Sequence, residues 1–209
     1  MMEEITIINL IFFVEEKSAE VTLKNILPKI VGDISFRVIT FNGKSDLLKK
    51  LPKRLKGFRN CLSSEDKIII LIDNDNKDCN ELKNKLEKTA RDAGFTTRTM
   101  NKKEFQVINR IVIQELESWF LGEIDAIRKS YPRISCNLSK RKKQYRNPDQ
   151  LTNTCETLLR CLNKNGYYNN IKYLPKSEVA KSISKNMNPD NNVSPSFNLF
   201  KDTLLNILQ

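Results

Sequence analysis

The stretch "KIIILIDNDNKDC" covers residues 67–79. Five aliphatic side chains in a row, Ile68 to Ile72, run directly into Asp73 and Asp75. A short run of β-branched residues suits a strand and is too brief for an ordinary helix. The reading over residues 67–72 is therefore a strand that ends on two acids one residue apart. Acids at such a place either end the strand and start a loop, or use the strand as a rigid mount.

Working outward, the same pattern repeats. Residues 5–14, "ITIINLIFFV", are β-branched and aromatic and read as a strand. Ser18 can cap the next helix, with Val21, Leu23, Ile26, Leu27 and Ile30 as its apolar set. Residues 35–41 alternate as a second strand. Leu47, Leu48, Leu51, Leu55 and Phe58 then recur at helical spacing, and Pro52 inside that pattern predicts a kink or two short helices. Beyond the opening stretch, Leu82, Leu86, Ala90 and Ala93 mark a helix that Gly94 can close. Residues 107–113, "VINRIVI", read as a fourth strand. Leu116, Trp119, Phe120, Ile124 and Ile127 follow as a helical stripe, with Trp119 at a core position.

Strands alternating with helices argue for βαβ units and a mainly parallel sheet flanked by helices, an α/β fold. The expected organisation is an α/β core over residues 1–133 and a helical extension over 134–209 packed on it. That extension opens on the basic connector "SKRKKQYRNPDQ". It continues with a helix built on Leu151, Cys155, Leu158, Leu159 and Leu162, and a second from Pro175 to Met187. A last helix has Ser194 as N-cap and Pro195 at its first position.

Composition narrows the chemistry. The formal net charge is +11 with 39% hydrophobic residues, which favours a soluble globular chain with polyanionic partners. The sequence has no apolar run of membrane-spanning length, and its acidic start "MMEE" is unlike a secretory leader. Five cysteines without C-x2-C spacing argue against a zinc site or a disulfide framework. They are expected to be reduced and mostly buried, in a cytoplasmic protein. The complete absence of histidine removes Ser–His and Cys–His nucleophiles and His-ligated metals. Any metal would be held by oxygen, which means Mg²⁺ or Mn²⁺.

The acids fall in a pattern. Glu15 and Glu16 follow the first strand, Asp73 and Asp75 the third, and Glu115 and Glu117 the fourth. In a parallel sheet all three groups share the carboxyl-terminal edge, where open α/β sheets bind ligands. In an extended turn, residues 73 and 75 also project to one side. Converging carboxylates repel one another unless they take up protons or bind a divalent cation. Such a site suits phosphoryl transfer, with Glu15 as general base. Each group has a plainer role too. Glu115 and Glu117 suit the first turn of a helix, and Asp73, Asp75 and Asp78 suit a turn and helix cap.

Cations are plentiful. Lys49, Lys50, Lys53, Arg54, Lys56 and Arg59 cover the polar face of the second helical region, and Lys140, Arg141, Lys142, Lys143 and Arg146 surround Tyr145. Either set can neutralise a nucleic-acid backbone or simply face solvent. "NGKSD" contains Gly43–Lys44–Ser45, but the glycine a P-loop needs is replaced by Val38. Lys44 can still reach a phosphate from a strand end.

"FFVEEKSAE" followed by "IIILIDNDNKDC" resembles the acid-then-DxD signature of Toprim domains. Together with "FNGKSDL", "RIVIQELESWFLGE", "YRNPDQL" and "SPSFNLF", it resembles a bacterial family of small Toprim-like proteins. These are encoded beside ABC-type or AAA-type ATPases in antiphage defence loci, as in overcoming-lysogenisation-like and PARIS-like systems. The resemblance implies a metal-dependent nuclease acting on DNA or structured RNA such as tRNA, working with an ATPase subunit. It places the first acid, a general base or metal ligand, at Glu15, the DxD acids at Asp73 and Asp75, and lets Glu115 or Glu117 complete the site. Many Toprim domains have glycine after the first acid, where this chain has Glu16. A non-catalytic adaptor that binds an ATPase or a phage protein is the alternative, and a homodimer is left open.

Overall fold

The computed structural model describes residues 9–75, 78–134, 146–169 and 171–208. The chain divides into two compact units. One comprises residues 1–16, 33–72 and 78–111, and the other 17–32, 73–77 and 112–209.

Four strands form one sheet: β1 (Asn9–Val14), β2 (Ser35–Thr40), β3 (Lys67–Asp73) and β4 (Val107–Val112), in the order β2-β1-β3-β4. β1 runs parallel to both neighbours, with Val14 opposite Thr40 on one side and Leu71 on the other. β4 advances with β3, because Ile68 N donates to Gln106 O and Asn74 N donates to Val112 O. The expected α/β architecture, a parallel sheet flanked by helices, is present. Residues 5–8 of the expected first strand lie outside the described residues.

In the first unit, α2 (Lys44–Arg59) packs on α3 (Cys79–Asp92). Alternate residues Ile11 and Phe13 of β1, and Ile68, Ile70 and Ile72 of β3, meet Leu47, Leu51, Leu55, Leu82 and Leu86 in one core. The intervening Leu10, Phe12, Val14, Ile69 and Leu71 are buried as well. Burial of both faces explains why β1 and β3 are spelled as unbroken apolar runs. Pro52 does not divide the helix: α2 is continuous across it. A helix-interior proline costs about 3 kcal/mol. Leu47, Leu51 and Leu55, all fully buried, contribute about 1.5–3 kcal/mol each, and so outweigh it.

The second unit is helical: α1 (Lys17–Val31), α4 (Glu117–Leu121), α5 (Ile124–Ser130), α6 (Thr154–Lys164), α7 (Lys176–Asn186) and α8 (Pro195–Ile207). α1 packs on α7 and α8, α5 on α7, and α4 on α6. Two expectations change here. Ser18 is not a cap, since α1 begins at Lys17; Ser18 lies buried inside the helix, where its carbonyl accepts from Thr22 Oγ1 at 2.9 Å. The stripe from Leu116 to Ile127 is not one helix but two. Asn192 Nδ2 donates to the Trp119 carbonyl at 2.8 Å, and Val193 N donates to the Gly122 carbonyl at 3.0 Å. These carbonyls at the end of α4 are satisfied from outside rather than by a further helical turn.

Trp119 is buried as its spacing required, with ring centroids 5.1 Å from Phe197 and 5.0 Å from Phe200. Ser194 caps α8, its Oγ accepting from Phe197 N at 3.2 Å. The cysteines depart from expectation. Among the four described, only Cys161 is buried, while Cys61 is exposed and Cys79 and Cys155 are half-buried. Cys61 follows the C-terminal end of α2, past the last leucine of its apolar stripe. Among the described residues, no helix is long and apolar enough to cross a membrane.

Candidate functional site

Glu15 and Lys44 belong to the first unit. Glu15 directly follows β1, and two backbone bonds tie that strand end to the turn before α2. Phe41 N donates to Val14 O at 3.0 Å, and Gly43 N donates to the Glu15 carbonyl at 2.8 Å. Gly43 has φ +89, a left-handed conformation that disfavours any side chain, and Lys44 is the first helical residue beyond it. The "NGKS" turn therefore brings Lys44 to the carboxyl end of β1, beside the backbone of Glu15.

Asp73, Asp75, Glu115 and Glu117 all belong to the second unit. Asp73 closes β3, and its Oδ2 accepts from Leu116 N at 3.3 Å. Asn74 is buried, and its Nδ2 donates to Gln114 Oε1 at 3.2 Å. Asp75 N donates to Gln114 O at 2.9 Å. The segment after β3 is thus stitched to the segment after β4, and the DxD acids lie next to the Glu115–Glu117 turn. Asp75 has φ +53, so the chain leaves extended geometry there; the same-side projection of an extended turn does not apply. Aspartate is among the few residues that tolerate this region.

Glu115 Oε2 accepts from Thr154 Oγ1 at 2.8 Å and from Cys155 N at 3.0 Å, at the start of α6. Glu117, the first residue of α4, is 1% exposed. The Cys155 thiol is pushed up to about 12, by burial first and then by the Glu117 carboxylate, with Glu115 acting in the same direction. That thiol stays protonated and is a poor nucleophile. Negative charge is therefore concentrated where α4 and α6 begin.

The donor chemistry of this group, oxygen only, suits Mg²⁺ or Mn²⁺. The spacing is less suited. Among the described residues, no three His, Cys, Asp or Glu side chains are grouped to hold a metal ion.

A family model described as a domain of unknown function, DUF4276, matches residues 14–205. The chain belongs to the DUF4276 family. Among solved structures, it is similar to the C-terminal region of the Xanthomonas campestris pv. campestris OLD protein. The identity is 15% and the TM-score 0.45, over 94% of this chain and 95% of that one. No curated protein matches it.

The DUF4276 chain also holds a polar network that periodicity alone does not reveal. Asp149, from "YRNPDQL", accepts from Ser194 Oγ at 2.7 Å and from Ser196 N at 2.7 Å. Ser196 Oγ in turn accepts from Trp119 Nε1 at 3.1 Å. Three motifs far apart in sequence thus close on one another around a buried tryptophan. The signal was present in the motif residues, but not their pairing across 45 positions.

Of the basic connector, only Arg146 lies within the described residues; Lys140, Arg141, Lys142 and Lys143 lie outside them. Arg146 is exposed and lines a cavity of about 460 Å³ together with Glu123 and Asp125.

Proposed function

We propose that this DUF4276 protein is a Toprim-like nuclease that cleaves phosphodiester bonds in DNA or in structured RNA such as tRNA. In this reading Asp73 and Asp75 hold Mg²⁺ or Mn²⁺, with Glu115 or Glu117 completing the set. The protein acts in the cytoplasm as the effector of an antiphage defence system, beside an ABC-type or AAA-type ATPase subunit. The observation that supports it is the placement of Asp73. It closes a buried parallel strand, and its carboxylate is fixed by Leu116 N next to two further acids.

A bound divalent ion would polarise a phosphoryl oxygen and acidify an attacking water. The chain supplies the rest. Glu15, following β1, takes the proton from the attacking water. Lys44, at the start of α2, offsets phosphate charge. The buried strands keep their terminal carboxylates from relaxing away from the substrate.

The test is incubation of the protein, with and without its ATPase partner, with plasmid DNA and tRNA in Mg²⁺ or Mn²⁺. Cleavage is expected, and is expected to vanish in the Asp73→Ala/Glu15→Ala double variant. Cleavage that survives in that variant overturns the assignment.

A second reading is a Toprim-like adaptor that binds an ATPase or a phage protein without cutting. It is favoured by Glu115, whose Oε2 is engaged by Thr154 and Cys155 in a structural role. Full biological activity in the same double variant would select it.

A further inference from the structure

The first unit carries a concentration of positive charge of its own. A cavity of about 850 Å³ is lined by Arg37, Lys49, Lys50, Lys53 and Arg54, with Phe58 and the exposed Cys61. Arg37 comes from the edge strand β2, and the other four cations from α2. Among the described residues, only Lys50 of the five has an ion-pair partner, Asp46 at 2.7 Å. Clustered cations repel one another, so the arrangement costs stability unless an anion offsets it.

The geometry selects the kind of anion. Lys49, Lys50, Lys53 and Arg54 lie along one stretch of α2 and Arg37 stands on β2, whereas Arg59 faces away, over the Phe95 ring. Lys49 to Arg54 rise about 7.5 Å along α2 at roughly 1.5 Å per residue, and with Arg37 on β2 they present several cations at once, which suits the successive phosphates of a polyanion. The aromatic in the cavity is not offered for base stacking. Phe58 is half-buried, with its ring 5.7 Å from that of Phe13. Recognition of phosphates without recognition of bases is sequence-independent. A bilayer would want apolar side chains beside the cations, and among the described residues the large exposed hydrophobics all lie off α2 and β2.

We propose that the α2–β2 cavity is a sequence-independent docking site for a nucleic-acid phosphodiester backbone. This deepens the nuclease reading and rests on its assignment of nucleic acid as substrate. Docking nevertheless requires neither metal nor cleavage, so the two can fail separately.

The experiment measures binding of the full chain to labelled duplex DNA and labelled tRNA by fluorescence anisotropy, in EDTA, across a salt series. Four neutralised phosphates predict a slope of log affinity against log salt of about −3.6 on duplex DNA. Lys53→Gln/Arg54→Gln changes two exposed side chains and should flatten the slope by about 1.8 and weaken binding roughly tenfold or more at moderate salt. Lys53→Arg should keep both affinity and slope. Nucleic acid should also slow alkylation of Cys61 by iodoacetamide, read by peptide mass mapping. Unchanged affinity and slope in the glutamine variant, or Cys61 alkylation unaffected by bound nucleic acid, overturns the proposal. So does binding to phosphatidylserine vesicles in place of nucleic acid. Cleavage failing in Mg²⁺ while binding behaves as described would sink the nuclease reading alone.

Discussion

Glu123 gives the stability of the second unit a pH dependence that can be worked out. It sits between α4 and α5, only 4% exposed, and both its oxygens accept from Asn188 N, at 2.9 and 3.0 Å. Burial raises its pKa from 4.5 to about 7. The Asn188 N–H, Lys129 and Lys29 pull it back only in part, and Asp125 pushes with burial. Between these values the folded protein keeps a proton that the unfolded chain releases. Stability is therefore fully present below 4.5 and falls as pH rises to about 7. At about 1.4 kcal/mol per pK unit, the loss is on the order of 3 kcal/mol. Glu123→Gln keeps an acceptor for Asn188 and removes the ionisation. Urea denaturation of both proteins should give nearly equal stabilities at about pH 4.5 and a variant more stable by up to about 3 kcal/mol at about pH 8. Curves that stay parallel across that range would refute the reasoning.

Two further substitutions probe the packing of the second unit. A β-carbon at Gly122 would collide with Asn192 Oδ1 and stand 3.1 Å from Ser194 Cβ, so Gly122→Ala should cost about 1–3 kcal/mol, measured by thermal unfolding followed by circular dichroism. Asp149→Ala strips the acceptor from Ser194 Oγ and Ser196 N and should cost about 2–3 kcal/mol by chemical denaturation, with Asp149→Asn costing less; equal stability of all three proteins would contradict the network's role.

The parallel sheet was legible because β1 and β3 are buried on both faces and must be spelled in apolar residues. The strand-end positions of Glu15, Asp73 and Asp75 were legible because they stand at the ends of those runs. What escaped the sequence depends on partners distant in the chain. The break between α4 and α5 is set by Asn192 and Val193, some 70 positions on, which no local periodicity encodes. Pro52 signals a break locally, yet α2 runs on across it, held by three buried leucines. The left-handed turn at Asp75 follows from its bond to Gln114, beyond β4, and so could not be read from "DND" alone. The cations of α2 were visible in sequence as a charged face. Only the pairing of β2 with β1, which sets Arg37 beside that face, makes them the lining of a cavity.

The central claim is that the carboxylates at the end of β3 hold a divalent cation for phosphodiester cleavage. Isothermal titration of Mn²⁺ into the wild-type protein and into Asp73→Asn tests it most directly. The account predicts saturable binding to the wild type that is weakened roughly tenfold or more in the variant. Indistinguishable isotherms for the two proteins would contradict it.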